Sequence, residues 1–329
     1  MSDRQENEEP RQPRNLQGLL NFCTEITARE DTTGPSQLQS MDPERRAFLE
    51  EALTSMAVDG VKEMAKAVKS LYSESITMPG EDISKEKEAM AILEEYVDDL
   101  NYAMDLHKMG GYPILVQCLN SPHTSLRIGA ATLIGDICQN YLYCQENMLA
   151  LDIMPVLLLM LDTDEDTQAR VKALYAISCV VRDCPKGEAE FLDADGLSYL
   201  MRAMQSGVEK LVIKSAFLLT KLVKKKDSNR ATAVSMGFVE QLLTVLGSEK
   251  TDNISREHCT DALRTLALTY PPALAECLRP ELNVSQILTS RLDDIKEKEE
   301  TQEEECYIKE ILELMERGSI GDSDESTNR

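Results

Sequence analysis

The chain contains no tryptophan, and its aromatic residues make up only 5% of the sequence. A core in a chain of 329 residues must then be filled mainly by aliphatic side chains. Any aromatic contact surface must be built from its five Phe and ten Tyr. Histidine is scarce too. His107, His123 and His258 lie far apart, with no nucleophile signature and no phosphate-binding glycine loop, which argues against an enzyme. Nine cysteines are present, but no Cys-x-x-Cys occurs and the odd count leaves no complete disulfide framework. Cys118, Cys138, Cys179 and Cys259 fall within apolar runs and read as buried reduced thiols. No metal, cofactor or catalytic residue is expected. No segment is long and apolar enough to span a bilayer, and the amino terminus lacks the apolar run of a signal peptide, so a cytoplasmic location is expected. Basic residues are in deficit, 35 against 58 acidic, for a formal net charge of −23. That charge repels nucleic acid and anionic membrane at long range, and neither is an expected partner.

What the chain does have is a repeated helix. Ala169 to Arg182 (Ala-Arg-Val-Lys-Ala-Leu-Tyr-Ala-Ile-Ser-Cys-Val-Val-Arg) is of helix length, free of Gly and Pro, and apolar on nearly every side. Such a helix must be covered by neighbours. Copies recur at Leu126 to Gln139 and Leu211 to Val223, with fainter ones at Glu88 to Leu100 and Thr260 to Leu268. Ahead of the last four copies stands a second segment, beginning at Gly111-Tyr112, Asp152-Ile153, Gly196-Leu197 and Gly237-Phe238. The interval of roughly 42 residues is that of a helical solenoid repeat of two or three helices. Each unit exposes apolar faces that only the next can bury, so the array forms one continuous core.

In chain order, residues 1–40 are polar and rich in turn formers, and are expected to be largely disordered. Within them Arg11, Arg14, Leu16, Leu19 and Leu20 form a short island, read either as a helix docking on the body or as a peptide ligand for something else. Residues 41–80 carry two amphipathic stripes, the first capped at Asp42-Pro43 and the second running from Val61 to Tyr72; these read as capping helices. Repeats are expected over 81–281, joined by short loops. Charged capping helices are expected over 282–317, with a stripe of Tyr307, Ile308, Ile311, Leu312, Leu314 and Met315, followed by a disordered acidic tail over 318–329.

The segment Gly-x-apolar-x-x-Leu followed by Ala173-Leu-Tyr-Ala-Ile-Ser-Cys-Val-Val181 resembles an armadillo repeat. More closely, Arg14-Asn-Leu-Gln-Gly-Leu-Leu20, Arg170-Val-Lys-Ala-Leu-Tyr-Ala-Ile-Ser-Cys179 and Lys214-Ser-Ala-Phe-Leu-Leu219 resemble the heat shock protein 70-binding family of armadillo-type nucleotide exchange factors. The resemblance implies an all-α, right-handed armadillo-repeat solenoid with helical caps at both ends. It also implies a cochaperone that binds the ATPase domain of heat shock protein 70 chaperones and accelerates ADP release. The alternative carried beside it is a generic armadillo adaptor or scaffold for another folded protein. A monomer is expected.

In armadillo folds the third helix lines a concave groove and exposes two residues four apart, which share one helix face. Carried onto this chain, these positions fall at Ala91 and Glu95, Thr132 and Asp136, Tyr175 and Cys179, Phe217 and Lys221, and Arg264 and Leu268. Lys172, Lys214 and the run Lys224-Lys-Lys226 read either as solvated faces or as a basic cluster beside the groove that would orient an acidic partner. The family's usual Trp and Asn ladder is absent, which favours a folded partner over an extended peptide. By composition alone, Tyr175 and Phe217 read more readily as core residues, and only the register of the repeat lifts them toward the groove. The island Arg14, Leu16, Leu19 and Leu20 has the basic, Leu-centred character of a client peptide, and the resemblance extends its partner to the chaperone's substrate-binding domain.

Overall fold

The computed structural model describes the backbone of residues 60–326 and the side chains of residues 60–318, residue 297 excepted. The chain divides into the units Met1–Glu63 and Met64–Arg329, and the architecture that follows is that of the second. The first capping helix and the Leu-rich island, read from sequence within 1–59, lie outside the described residues.

Among the described residues the secondary structure is helical throughout, without a strand. Helix α1 (Gly60–Leu71) and α2 (Ser84–Tyr96) are followed by four three-helix units. These are α3 (Leu100–Lys108), α4 (Tyr112–Leu119) and α5 (Thr124–Cys138); α6 (Leu142–Leu149), α7 (Ile153–Thr163) and α8 (Thr167–Val181); α9 (Pro185–Asp193), α10 (Gly196–Gln205) and α11 (Glu209–Lys225); α12 (Asp227–Ser235), α13 (Phe238–Gly247) and α14 (Asn253–Thr269). The chain closes with α15 (Pro271–Cys277), α16 (Val284–Ile295) and α17 (Gln302–Ser326).

Local chemistry fixes the unit. The turn into each second helix contains a residue in the left-handed region: Gly110, Asp152, Asp195 and Gly237, with φ between 53° and 85°. Gly adopts this conformation freely, and Asp or Asn tolerates it best among the rest. The start of α8 is capped by Asp166, whose side chain accepts from the Ala169 amide at 2.9 Å, and α14 is capped likewise by Asp252. At the other end of α8, the Gln145 side chain donates to the carbonyls of Cys179 and Arg182, at 2.7 and 2.9 Å.

The helix around which the repeat was read is central. Ala173, Leu174, Ile177 and Val180 are fully buried, and α8 packs against α5, α7 and α11. Seven described cysteines are buried and free, and burial pushes the thiols of Cys118, Cys259 and Cys277 up to about 12. They are inert small hydrophobes at neutral pH.

Three boundaries differ from the sequence reading. The break at 80/81 sets α2 among the repeats, and α2 stands as a third helix, since it packs on α5 as α5 packs on α8. The break at 281/282 cuts a fifth three-helix unit. Asn283 takes the left-handed position ahead of α16, and α17 packs on α14 as a third helix would. The stripe read from sequence is buried at Ile308, Ile311 and Met315, but the charge around it gave the helix the look of a cap and not of a repeat. A buried pair fastens it, with Arg291 donating twice to Glu304 at 2.8 and 2.6 Å and once to Asn253 at 3.0 Å. Finally, helix α17 runs on to Ser326 where an unstructured tail was expected from Gly318. A Gly inside a helix costs only about 1 kcal/mol relative to Ala, so Gly318 alone does not end one.

Adjacent units are tied by side chains one period apart. Arg127 donates to both carboxylate oxygens of Asp164, at 2.7 and 2.9 Å. Burial alone would raise the Asp164 carboxyl, but the bonds from Arg127 and the Asp166 amide outweigh it and hold it below 3.8. A depressed carboxyl contributes stability that is present above its unfolded value and lost as pH falls through its folded one. Asp164→Asn should therefore cost about 2 kcal/mol near neutral pH. In urea titrations at a series of pH values, the difference from wild type should shrink once pH drops below 3.8.

Candidate partner-binding groove

The third helices bury one another on most sides, and what each leaves uncovered repeats at fixed positions. Counting from the first residue of α5, α8, α11 and α14, the ninth residue is Thr132, Tyr175, Phe217 and Asp261, and the thirteenth is Asp136, Cys179, Lys221 and Thr265. Thr132, Asp136, Tyr175, Phe217 and Lys221 are all half-buried, neither core nor free, as groove-lining side chains should be. Tyr175 and Phe217 are thereby separated from the core residues they resemble by composition.

These side chains meet across repeats. The Tyr175 hydroxyl donates to Asp136 at 2.7 Å, and its ring lies over Gly135. Burial, followed by this bond, raises the phenol well above its ordinary value, so it stays a donor at any ordinary pH. The Lys214 and Lys172 ammonium groups stand 5.0 and 5.5 Å from the centre of the same ring. Partial burial lowers the Lys214 ammonium, and repulsion from Lys172 and Lys210 adds to the effect. One repeat on, Lys221 and Arg182 stand 5.1 and 5.7 Å from the Phe217 ring, and His258 meets its edge at 6.3 Å. Such contacts contribute roughly 0.5–1 kcal/mol each where exposed, but they hold a cation without neutralising it. Among the described residues, Lys172, Lys214 and Lys221 make no ion pair.

The neighbouring basic run is different. Lys225 pairs with Asp183 at 2.7 Å, Lys226 with Glu188 at 2.9 Å, and Lys224 stands 3.9 Å from Asp261. Its charge is spent inside the protein. The surface thus has a cationic aromatic centre between two acidic ends. At one end is Asp136 with Glu94, whose carboxyl is raised by partial burial and by the Asp136 charge; at the other, Asp261 and Glu310 are paired with Arg264.

Several residues expected in the groove stand elsewhere. Cys179 is only 2% exposed, because it lies beside Tyr175 and Lys214, which cover it. In the fourth repeat the register puts Asp261 and Thr265 at the two positions, three residues before the expected Arg264 and Leu268. Helix α14 begins seven residues ahead of the segment from which the register was read, and no aromatic landmark marks it. Arg264 bonds Asp261 and Glu310 at 2.8 and 2.9 Å and stacks 4.5 Å from Tyr307, so its charge is neutralised; Leu268 is exposed near the helix end. On α2 the equivalent positions are Ile92 and Tyr96, one residue after the expected Ala91 and Glu95, which are exposed on the adjoining face. Sequence reasoning missed Arg182, His258 and Gly135. The first two follow the stripe by position, but only the packed helices show that they reach Phe217. Among the described residues, no group of three or more His, Cys, Asp or Glu is placed to hold a metal ion.

Stacked three-helix units with a half-buried stripe on the third helices define an armadillo solenoid, a class built to display an extended surface to another macromolecule. Solved structures agree on the fold. A designed armadillo repeat protein, 14% identical, superposes with a TM-score of 0.64 over 77% of this chain and 99% of that one, and an engineered protein, 20% identical, with 0.65 over 78% and 97%. Residues 102–233, which include Tyr175 and Phe217, match the SIL1/FES1/HPBP1 C-terminal domain family. Over 324 residues the chain is 36% identical to the Hsp70-binding protein 1 of Mus musculus, covering 95% of this chain and 89% of that protein. It is 38% identical over 323 residues to that of Homo sapiens, covering 95% and 88%. The nucleotide exchange factor SIL1 of Xenopus laevis is 28% identical over 164 residues, 50% of this chain and 35% of that protein. The chain belongs to the Hsp70-binding protein 1 family.

A Cβ on residue 135 would lie 2.3 Å from the Tyr175 ring, so only glycine admits the ring there. Gly135→Ala should lower the melting temperature despite a helix-propensity gain of up to about 1 kcal/mol. In a Tyr175→Ala background the same change should be neutral or stabilising. Equal costs in the two backgrounds would show that the ring is not what the glycine accommodates.

Proposed function

We propose that this chain is an Hsp70 cochaperone that grips the chaperone's ATPase domain along the third-helix groove and accelerates ADP release. Family membership supports the partner and the activity. The observation that carries the surface is the cluster of Lys172, Lys214 and Lys221 around Tyr175 and Phe217: three cations that make no ion pair among the described residues, held over two half-buried rings, on a protein otherwise strongly acidic. Aromatic anchors give an interface its energy, and a local cationic centre gives it orientation and specificity.

The work is done by binding. If the groove holds the ATPase domain in a form with its nucleotide cleft open, then binding weakens ADP by the same factor that ADP weakens binding. A thousandfold effect on ADP requires about 4 kcal/mol of differential affinity. A groove extending over several repeats offers enough surface for that, and no bond needs to be made or broken on the cochaperone itself.

Stopped-flow release of fluorescent ADP from the Hsp70 ATPase domain tests this reading. Phe217→Ala should weaken the half-saturating concentration by the equivalent of about 2 kcal/mol. The pair Lys214→Glu with Lys221→Glu should weaken it further, and both variants should keep their melting temperature. Exchange left intact beside a marked loss of stability would make Phe217 a core residue.

We also propose that the segment carrying Arg14, Leu16, Leu19 and Leu20 occupies the chaperone's client site while the groove holds the ATPase domain. A tethered segment acts at high effective concentration, so even weak binding would oppose client rebinding. Changing Leu16, Leu19 and Leu20 to Ser should spare ADP release and slow the clearance of a fluorescent client peptide. A segment that merely packs on the solenoid would instead lower the melting temperature and leave clearance unchanged.

A further inference from the structure

The fourth residue of the third helices is Arg127 in α5, Arg170 in α8 and Arg256 in α14. Each lays its guanidinium over the preceding loop and donates to a backbone carbonyl at or near the end of the second helix. Arg127 bonds Ser121 at 3.0 Å, Arg170 bonds Leu161 at 2.8 Å, and Arg256 bonds Ser248 at 2.6 Å. In α11 the same position is Val212. No arginine fills that place in the third repeat.

The consequence is visible in the spaces between repeats. Beside Arg127, the cleft bounded by α7 has a volume of about 150 Å³. The equivalent cleft beside Val212, bounded by α13, has a volume of about 500 Å³. Its apolar lining is Met204, Val212 and Val245, and its carboxylates are Glu209 and Asp252. Ser255 also lines it, 1% exposed, with a hydroxyl oxygen that has no hydrogen-bond partner among the described residues. The hydroxyls of Thr244, Ser248 and Thr251 line the same cleft and add polar groups beside the carboxylates. Two carboxylates against the single exposed ammonium of Lys250 give the site a net negative charge.

We infer that this cleft receives an arginine side chain from a linear segment of a partner protein, in the place where the other repeats seat their own. The apolar lining takes the aliphatic stem, and the carboxylates and hydroxyls take the guanidinium fork. The site lies at the start of α11, away from Lys221, and so stands apart from the groove assigned to the ATPase domain. Binding there and ADP release are separable.

The test titrates full-length protein, labelled at Met and Val methyls, with capped glycyl-arginyl-glycine and with its citrulline counterpart, which keeps the shape and loses the charge. Shifts should be confined to methyls of Met204, Val212 and Val245, and the citrulline peptide should bind about tenfold more weakly. Val212→Arg should abolish the response while leaving ADP release unchanged. Glu209→Gln, a change at an exposed side chain, should weaken the response and gives an independent reading should Val212→Arg prove unstable. No shift at these methyls, an equal response to citrulline, or a response that survives both substitutions would overturn the inference.

Discussion

The structure depends on the burial of third helices against one another. A helix as apolar as α8 has no stable existence in water, and its cover comes from α5 before it, from α7 of its own repeat and from α11 after it. Small residues allow the approach: Ala130 and Gly135 on α5, Ala173 and Ala176 on α8, all buried. Because the helices stack in register, residues about one repeat apart in sequence become neighbours. Arg127 meets Asp164, Tyr175 meets Asp136, Lys225 meets Asp183 and Asn229 meets Glu188, across 37 to 42 residues. The half-buried stripe is therefore a by-product of the core. The stripe left uncovered on each helix lines up with the next.

That alignment also sorts the charges. A lysine at the end of α11 finds a carboxylate within reach, since the turns between repeats are acidic; a lysine along the stripe finds an aromatic ring instead. Both arrangements hold the side chain in place, but only the second leaves its charge available. Long-range attraction and local contact thus act in different parts of the molecule. The net charge of −23 repels other polyanions at long range, while the stripe keeps a few cations whose charge no ion pair neutralises among the described residues.

Much of this was legible in the sequence because a solenoid writes its period into the chain. The starts of the second helices at Tyr112, Ile153, Gly196 and Phe238 follow from recurring turns and apolar runs, and the burial of Ala173 and Leu174 follows from a helix with no polar face. Register was legible only where an aromatic marked it. Tyr175 and Phe217 fixed the second and third repeats, while the fourth, marked by Asp261, was read three residues late, and the fifth, though its apolar stripe was read, passed for a cap because of its charge. Contacts such as Arg182 on Phe217 or the ring of Tyr175 over Gly135 depend on interhelix distance, which no pattern along one chain encodes. The Arg-to-Val exchange at Val212 was present in the repeat alignment, but its meaning required seeing the space it leaves.

The central claim is that the third-helix stripe is the surface that meets the chaperone. Hydroxyl-radical footprinting of the full chain, alone and with the Hsp70 ATPase domain, measures it residue by residue. Tyr175 and Phe217 should be protected in the complex, while Tyr143 and Leu159, exposed on first and second helices, should react as before. Protection of Tyr143 or Leu159 with Tyr175 and Phe217 unchanged would contradict the account.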